Sequence, residues 1–214
     1  MMNRKEILKR ARLYVLVDKK LLGERKVEDV IKRLVKSGVR MIQYRDKYAD
    51  DGEFLNEATK IKKILRKPNV LYIINDRVDI ALLIDADGVH VGQSDLPVPV
   101  ARKLLGKNKI IGTSAENIKQ ARMAQKQGAD YVGLGPIFYT TTKEKIPQPV
   151  GLDLIKQAKK ELRIPFFSIG GINLDNLSSV INAGAKGIAV ASAIVCSPDI
   201  AKTTKQFLKR LKDS

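Results

Sequence analysis

The chain contains one cysteine, Cys196, and one histidine, His90. A single cysteine excludes an internal disulfide framework and fits a reducing compartment. It lies between Ala193-Ile194-Val195 and Ser197-Pro198 with no basic activator beside it in sequence, so a buried, inert thiol is expected and not a nucleophile. A single histidine excludes zinc sites built from several His and Cys. Within Gly88-Val89-His90-Val91-Gly92 it reads as a strand residue packed against its neighbours. No uncharged apolar run is long enough to cross a bilayer. The start, MMNRKEILKRA, lacks the apolar core and small-residue cleavage site of a secretory leader. A cytoplasmic chain with no membrane association is therefore expected. Zinc-finger spacing, a basic-zipper repeat and aromatic-interleaved basic strands are missing too.

What is present is 44% hydrophobic and 29% charged residues, the balance of a folded globular chain. With 214 residues and no shift of composition, one domain over 1–214 is expected, with a short N-terminal extension at 1–12. The formal charge of +17 admits nucleic acid, anionic small substrates or a charged outer surface. Distribution decides. Lys32-Arg33, Lys60, Lys62-Lys63, Lys159-Lys160, Lys205 and Lys209-Arg210 stand beside apolar residues at helical spacing, and so read as solvated helix faces and not as a nucleic-acid interface. The partners expected are small molecules, and a homo-oligomer is allowed.

Apolar runs of strand length alternate with segments of helical period almost throughout. Strands are predicted near 13–17, 41–44, 70–74, 88–91, 109–112, 131–135, 165–169 and 187–191. Helices are predicted near 27–37, 53–65, 78–83, 99–105, 117–127, 152–162, 174–182 and 198–211. Ser37-Gly38-Val39, Gln127-Gly128-Ala129 and Ala183-Gly184-Ala185 each place glycine at a helix end directly before a strand, where a left-handed residue is wanted. Eight such units predict a (β/α)8 TIM barrel. A doubly wound open sheet would need a glycine-rich dinucleotide turn after the first strand, and Asp18-Lys19-Lys20 is not one.

A barrel places functional residues just after each strand. Those positions hold Gln43, Arg45 and Lys47; Asn75-Asp76; Gln93-Ser94-Asp95; Thr113-Ser114; Thr140-Thr141-Thr142-Lys143; Gly170-Gly171; and Ala191-Ser192. Asp76 and Asp95 offer hard oxygen ligands suited to Mg2+, the alternative being that each merely caps the turn that follows it. Arg45, Lys47, Lys143 and the hydroxyls of Ser114 and the threonines supply phosphate contacts. Gly170-Gly171 opening a helix, and Ala191-Ser192 ahead of another, resemble the phosphate cradle that barrels carry after strands seven and eight. Two anion sites are thus expected, one linked to metal. No Cys-His, Ser-His or buried Lys pairing suggests a nucleophile, so catalysis would be electrostatic. The long segment 136–150, rich in hydroxyls, is expected to be a functional loop.

Several motifs together resemble the thiamine phosphate synthase family. They are Gln43-Tyr44-Arg45-Asp46-Lys47, Ile74-Asn75-Asp76-Arg77, Gly88-Val89-His90-Val91-Gly92-Gln93-Ser94-Asp95-Leu96-Pro97, Gly112-Thr113-Ser114, Gly133-Leu134-Gly135-Pro136-Ile137-Phe138 leading to Thr140-Thr141-Thr142-Lys143, and Ile169-Gly170-Gly171-Ile172. The resemblance implies a (β/α)8 transferase of thiamine biosynthesis. It would join 4-amino-5-hydroxymethyl-2-methylpyrimidine diphosphate to hydroxyethylthiazole phosphate, or its carboxylated form, with Mg2+ as cofactor. It further implies that Asp76 and Asp95 bind the metal, and that Gln43, Tyr44, Arg45, Asp46, Lys47, Asn75, Ser114 and Lys143 hold the pyrimidine diphosphate. Thr140, Thr141, Thr142, Gly171, Ala191 and Ser192 would hold the thiazole phosphate. Arg45, Lys47, Ser114 and Lys143 would be the catalytic residues. Ala191 stands where many relatives have valine, and Tyr44 where an aliphatic residue is common. A thiazole tautomerase-like barrel and a non-catalytic basic protein that binds nucleic acid are the competing readings.

Overall fold

The computed structural model describes residues 3–66, 69–141 and 148–212. Its strands are β1 (Leu13–Asp18), β2 (Met41–Arg45), β3 (Leu71–Asn75), β4 (Gly88–Val91), β5 (Ile110–Ala115), β6 (Tyr131–Leu134), β7 (Phe166–Ser168) and β8 (Gly187–Val190). Its helices are α1 (Arg4–Arg10), α2 (Val27–Lys36), α3 (Asp51–Leu65), α4 (Val78–Leu83), α5 (Val98–Leu105), α6 (Ile118–Lys126), α7 (Asp153–Glu161), α8 (Leu177–Asn182), α9 (Ser192–Val195) and α10 (Ile200–Lys212). Each strand pairs in parallel with the next, and β8 pairs back on β1. The chain is therefore a (β/α)8 barrel, as the alternation of periods predicts. Among the described residues no helix is long and apolar enough to cross a membrane.

Period-two alternation along the strands divides the core into two layers. Tyr14, Met41, Leu71, Ile73, Ile110, Tyr131, Phe167 and Ala189 fill the barrel interior. Val15, Val17, Ile42, Tyr44, Ile74, Val89, Val91, Val132 and Val190 face outward and meet the helices. A helix such as α2 buries Val27, Val30, Ile31 and Leu34, one stripe at helical spacing. Its opposite face carries exposed Lys32 and Arg33, and Lys60, Lys159, Lys160, Lys205 and Lys209 are exposed likewise. The excess positive charge is thus spread over the helix layer.

Three crossovers end in the same device. Gly38, Gly128 and Gly184 adopt φ of 100°, 86° and 106°. In each case the following N–H reaches back to close the helix, Val39 to Leu34, Ala129 to Ala124 and Ala185 to Val180. This is the Schellman arrangement, which needs a residue free of a Cβ at its centre.

The structure departs from the predicted elements in four places. Residues 1–12, expected as an extension, include α1, which plugs the amino end of the barrel with Ile7, Leu8 and Ala11. A capping box between Asn3 and Glu6 starts it, and Arg4 ties it to Asp87 at 2.7 Å. The helix expected near 174–182 begins only at Leu177, because Asn173 and Asn176 exchange side-chain bonds with backbone N–H groups and hold a turn there. An additional short helix, α9, precedes the last predicted helix, which is α10 and starts where Asp199 accepts the N–H of Lys202. Cys196 is exposed and not buried, since Ile194 and Val195 take the inward positions of α9 and leave the thiol outside.

Close packing inside the barrel makes two glycine substitutions diverge. A Cβ on Gly112 would lie 2.0 Å from Cζ of the buried Tyr131 ring, whereas one on Gly52 would have Asp50 Oδ1 at 3.5 Å as its nearest neighbour. Gly112→Ala is expected to destabilise by about 3 kcal/mol through overpacking. Gly52→Ala, in the first turn of α3, is expected to stabilise by roughly 0.5 kcal/mol. Urea unfolding midpoints check both signs.

Candidate functional site

Within the described residues, the strand-end positions named above follow the carboxyl ends of their strands, opposite the α1 plug. At β1 and β2 the buried Asp18 carboxylate pairs with Arg45 and aligns its guanidinium at the barrel mouth. Gln43, one inward position deeper, is 1% exposed and donates its amide to the Tyr14 hydroxyl. Its carbonyl oxygen is buried with no partner among the described residues.

At β3 and β4 two carboxylates meet. Asp76 follows β3 with φ of 58°, a left-handed conformation that Asp tolerates better than most residues. Its N–H donates to the carbonyl of His90 at 2.8 Å, which turns the chain back over the strand end. Asp95 folds onto its own loop and accepts the Gly92 N–H at 2.7 Å. A Cβ at Gly92 would stand 2.9 Å from that carboxylate, so glycine leaves the room it needs. Burial pushes the Asp76 carboxyl above the usual carboxylate range; the Lys47 ammonium pulls it down, and Asp95 beside it pushes it up again. Lys47 forms an ion pair with Asp76. Two partly desolvated carboxylates in contact favour a cation between them, and the set fits a hard divalent ion. Among the described residues no cluster of three or more His, Cys, Asp or Glu occurs. An ion here would thus take two protein carboxylates and complete its shell with water or substrate oxygens.

Between β5 and β8 a cavity opens. It gathers Arg45, Ser114, Thr140, Gly171, Ala191 and Ser192, together with Asp18 and Glu116. Gly170 and Gly171, with φ of 100° and 63°, do not open a helix as expected. They let the β6–α7 loop approach closely, since a Cβ on Gly171 would lie 2.3 Å from the Tyr139 carbonyl. The base of that loop is tied down by Ile137 N–H to Ile169 and Phe138 N–H to Gly170. Ser192, by contrast, does begin α9 directly after β8, leaving first-turn N–H groups outside the helical ladder. Thr141 is exposed. Thr142 and Lys143 lie outside the described residues.

Two expected contacts are turned elsewhere. The Tyr44 side chain points away from the mouth into the helix layer, its ring 5.0 Å from Phe54, because it alternates with the inward Gln43 and Arg45. The Asp46 carboxylate accepts the N–H groups of Tyr48 and Ala49 and closes the β2–α3 turn. Asn75, half-buried, ends β3 in register with His90. His90 itself is more than packing. Its ring reaches into the barrel, with Nδ1 3.0 Å from the Tyr131 hydroxyl and Nε2 3.0 Å from Ser114 Oγ. Reading the chain alone also misses Asp18, Tyr14 and Tyr131. The signal was available: Asp18 ends the first strand, and the valines flanking His90 mark the opposite face as inward.

A closed barrel with polar strand ends collected at one face defines a (β/α)8 enzyme, whose chemistry sits at that face. Residues 13–194 match the family model of thiamine monophosphate synthase. A thiamine-phosphate synthase of Clostridium novyi is 45% identical over 194 residues, 91% of this chain and 95% of the relative. One from Chloroflexus aurantiacus is 46% identical over 92% of this chain and 90% of the relative. The solved thiamine phosphate pyrophosphorylase from Pyrococcus furiosus superposes with a TM-score of 0.87 at 34% identity, covering 99% of this chain and 98% of that one. The chain belongs to the thiamine monophosphate synthase family and is an enzyme of the transferase class.

The raised Asp76 carboxyl makes a signed prediction. Its folded state holds the proton more tightly than the unfolded chain does, so ionisation penalises folding at neutral pH and the penalty is relieved as pH falls through the folded pKa. Asp76→Asn removes the charge and keeps a residue that accepts positive φ. It is expected to raise Tm at about pH 7.5, with the gain shrinking on acidification. Thermal unfolding across pH checks this, and a lower Tm at every pH would contradict it.

Proposed function

We propose that this transferase joins 4-amino-5-hydroxymethyl-2-methylpyrimidine diphosphate to hydroxyethylthiazole phosphate, giving thiamine phosphate and diphosphate. The observation that carries the reading is the contact between Asp76 and Asp95 at the same barrel mouth as Arg45 and Lys47. An acidic pair set among cations suits a diphosphate that arrives with its own divalent ion. Asp76 and Asp95 would hold Mg2+, which when bound neutralises charge on the departing diphosphate.

The chain's own residues do the rest. Arg45, held by buried Asp18, presents a forked donor whose orientation is already fixed. Lys47 supplies a point charge at the rim, and Lys143 would supply a second. Ser114 donates a hydrogen bond to the same group. With Asn75 and Gln43 holding the pyrimidine, the carbon–oxygen bond to diphosphate breaks and its electron pair leaves on the diphosphate. The aminopyrimidine delocalises the cation that remains. The thiazole nitrogen then forms the new carbon–nitrogen bond with its lone pair, so no protein base takes a proton at the coupling step. Thr140, Thr141, Thr142, Gly171, Ala191 and Ser192 hold the thiazole phosphate. The first-turn N–H groups of α9 support that assignment. Tyr44 and Asp46 contribute through the backbone and the turn they stabilise, their side chains facing the helix layer and the β2–α3 turn.

Purified protein with both substrates and Mg2+ is expected to release thiamine phosphate and diphosphate in equal amounts. Replacing Asp76 and Asp95 together with alanine is expected to lower the rate at least about 10³-fold. Wild type that makes no product, or a double variant that makes as much, refutes the assignment. Fluorinating the pyrimidine methyl group destabilises the cation and is expected to slow single turnover; an unchanged rate would exclude the dissociative course.

A further inference from the structure

Five polar side chains cross the barrel interior in one hydrogen-bonded line. The Gln43 amide reaches the Tyr14 hydroxyl, and the hydroxyls of Tyr14 and Tyr131 are 2.9 Å apart. Tyr131 lies 3.0 Å from Nδ1 of His90, and Nε2 of His90 lies 3.0 Å from Oγ of Ser114. The line thus runs from β2 through β1, β6 and β4 to β5. Around it the core is apolar, with Met41, Ile73 and Phe167 in the same cluster. Burial pushes both tyrosines up, so each phenol keeps one hydrogen to give.

That hydrogen count sets a direction. An amide N–H only donates, so Tyr14 accepts from Gln43 and its own hydrogen has Tyr131 as acceptor. Tyr131 in turn gives its hydrogen to Nδ1 of His90. A neutral ring then carries its hydrogen on Nε2 and donates it to Ser114, whose own hydrogen is left for the cavity that Ser114 lines. Running the line backwards requires the Gln43 amide to turn over, burying an NH2 group without an acceptor. In the forward sense, among the described residues, only its carbonyl oxygen along the line lacks a protein partner. A buried unpaired carbonyl is the better tolerated of the two.

We propose that Tyr14, Tyr131 and His90 are positioning residues that hold this line in one sense, keeping His90 as its Nε2–H tautomer and presenting Ser114 to the cavity as a hydrogen-bond donor. The two ends then differ in kind, an acceptor at Gln43 and a donor at Ser114. Only the Ser114 end lines the cavity, where its donor matches an anionic oxygen of a ligand. That ligand's identity rests on the function proposed above, whereas the sense of the line does not.

His90 is the sole histidine, so a long-range 1H–15N spectrum of histidine-labelled protein contains one imidazole and needs no assignment. Without substrates, at about pH 8, where an ordinary imidazole is neutral, Nδ1 is expected to show the shift of a bare nitrogen and Nε2 that of a protonated one. Tyr131→Phe removes the hydrogen given to Nδ1 and is expected to move the two shifts toward each other as the tautomers mix. Tyr14→Phe leaves that hydrogen in place and is expected to keep the wild-type pattern. With both substrates, Tyr131→Phe is expected to lower kcat about tenfold, the loss of one donor aligned to a charged group. A wild-type ring protonated at Nδ1, or a Tyr131→Phe spectrum identical to wild type, overturns the proposal. Should Tyr131→Phe fail to fold, the wild-type tautomer decides alone. A wild type that forms no thiamine phosphate yet shows the Nε2–H tautomer would refute the function and support the line.

Discussion

Closing eight parallel strands into a small barrel forces half of every strand inward, and that interior must be filled. Tyr14, Tyr131 and Phe167 fill it edge to face, with ring centroids 5.4 to 5.8 Å apart. Gly112 and Gly133 on neighbouring strands leave space for Tyr131 and His90. Below, Ile7, Leu8 and Ala11 of α1 shut the amino end. Only the carboxyl end stays open, so polar side chains gather there on an apolar aromatic floor. A floor of that kind excludes water from one side of the site and strengthens each charge and hydrogen bond above it.

The acidic pair follows from the same closure. Neighbouring strand ends in a barrel are only a strand spacing apart, and Asp76 and Asp95 leave β3 and β4 side by side. Burial and the neighbouring Asp95 make the Asp76 charge costly, and Lys47 relieves it only in part. Such a pair gains little for folding. Under the function proposed, its gain would come when a divalent ion and an anionic ligand arrive together, as a diphosphate leaving group requires. Arg45 is organised in the opposite manner, its charge balanced and oriented by buried Asp18 before any ligand binds.

Much of this was legible in the sequence where one physical rule acts alone. Strand positions follow from apolar runs, and Gly38, Gly128 and Gly184 mark helix ends because only glycine tolerates the turn. The list of strand ends located Arg45, Ser114, Asp76 and Asp95. Failures came where two rules compete. The motif containing Tyr44 and Asp46 resembles a substrate-binding stretch, but strand alternation sends Tyr44 outward and turn chemistry claims Asp46. Cys196 follows apolar residues, yet a four-residue helix can bury only one side. His90 in the chain alone looks like packing, as a lone strand histidine usually is. The partners that give it a role, Tyr131 and Ser114, lie 41 and 24 residues away and meet it only once the barrel closes.

Isothermal titration of inorganic diphosphate tests the acidic pair most directly, since it needs neither the organic substrates nor turnover. One diphosphate per chain is expected to bind in the presence of Mg2+. Either chelating the metal or replacing Asp95 with asparagine is expected to weaken that binding by about 2–5 kcal/mol, the usual consequence of removing one partner from a desolvated charge set. Diphosphate bound with the same affinity with and without Mg2+, and by wild type and Asp95→Asn alike, would contradict the assignment of Asp76 and Asp95 as its cation site.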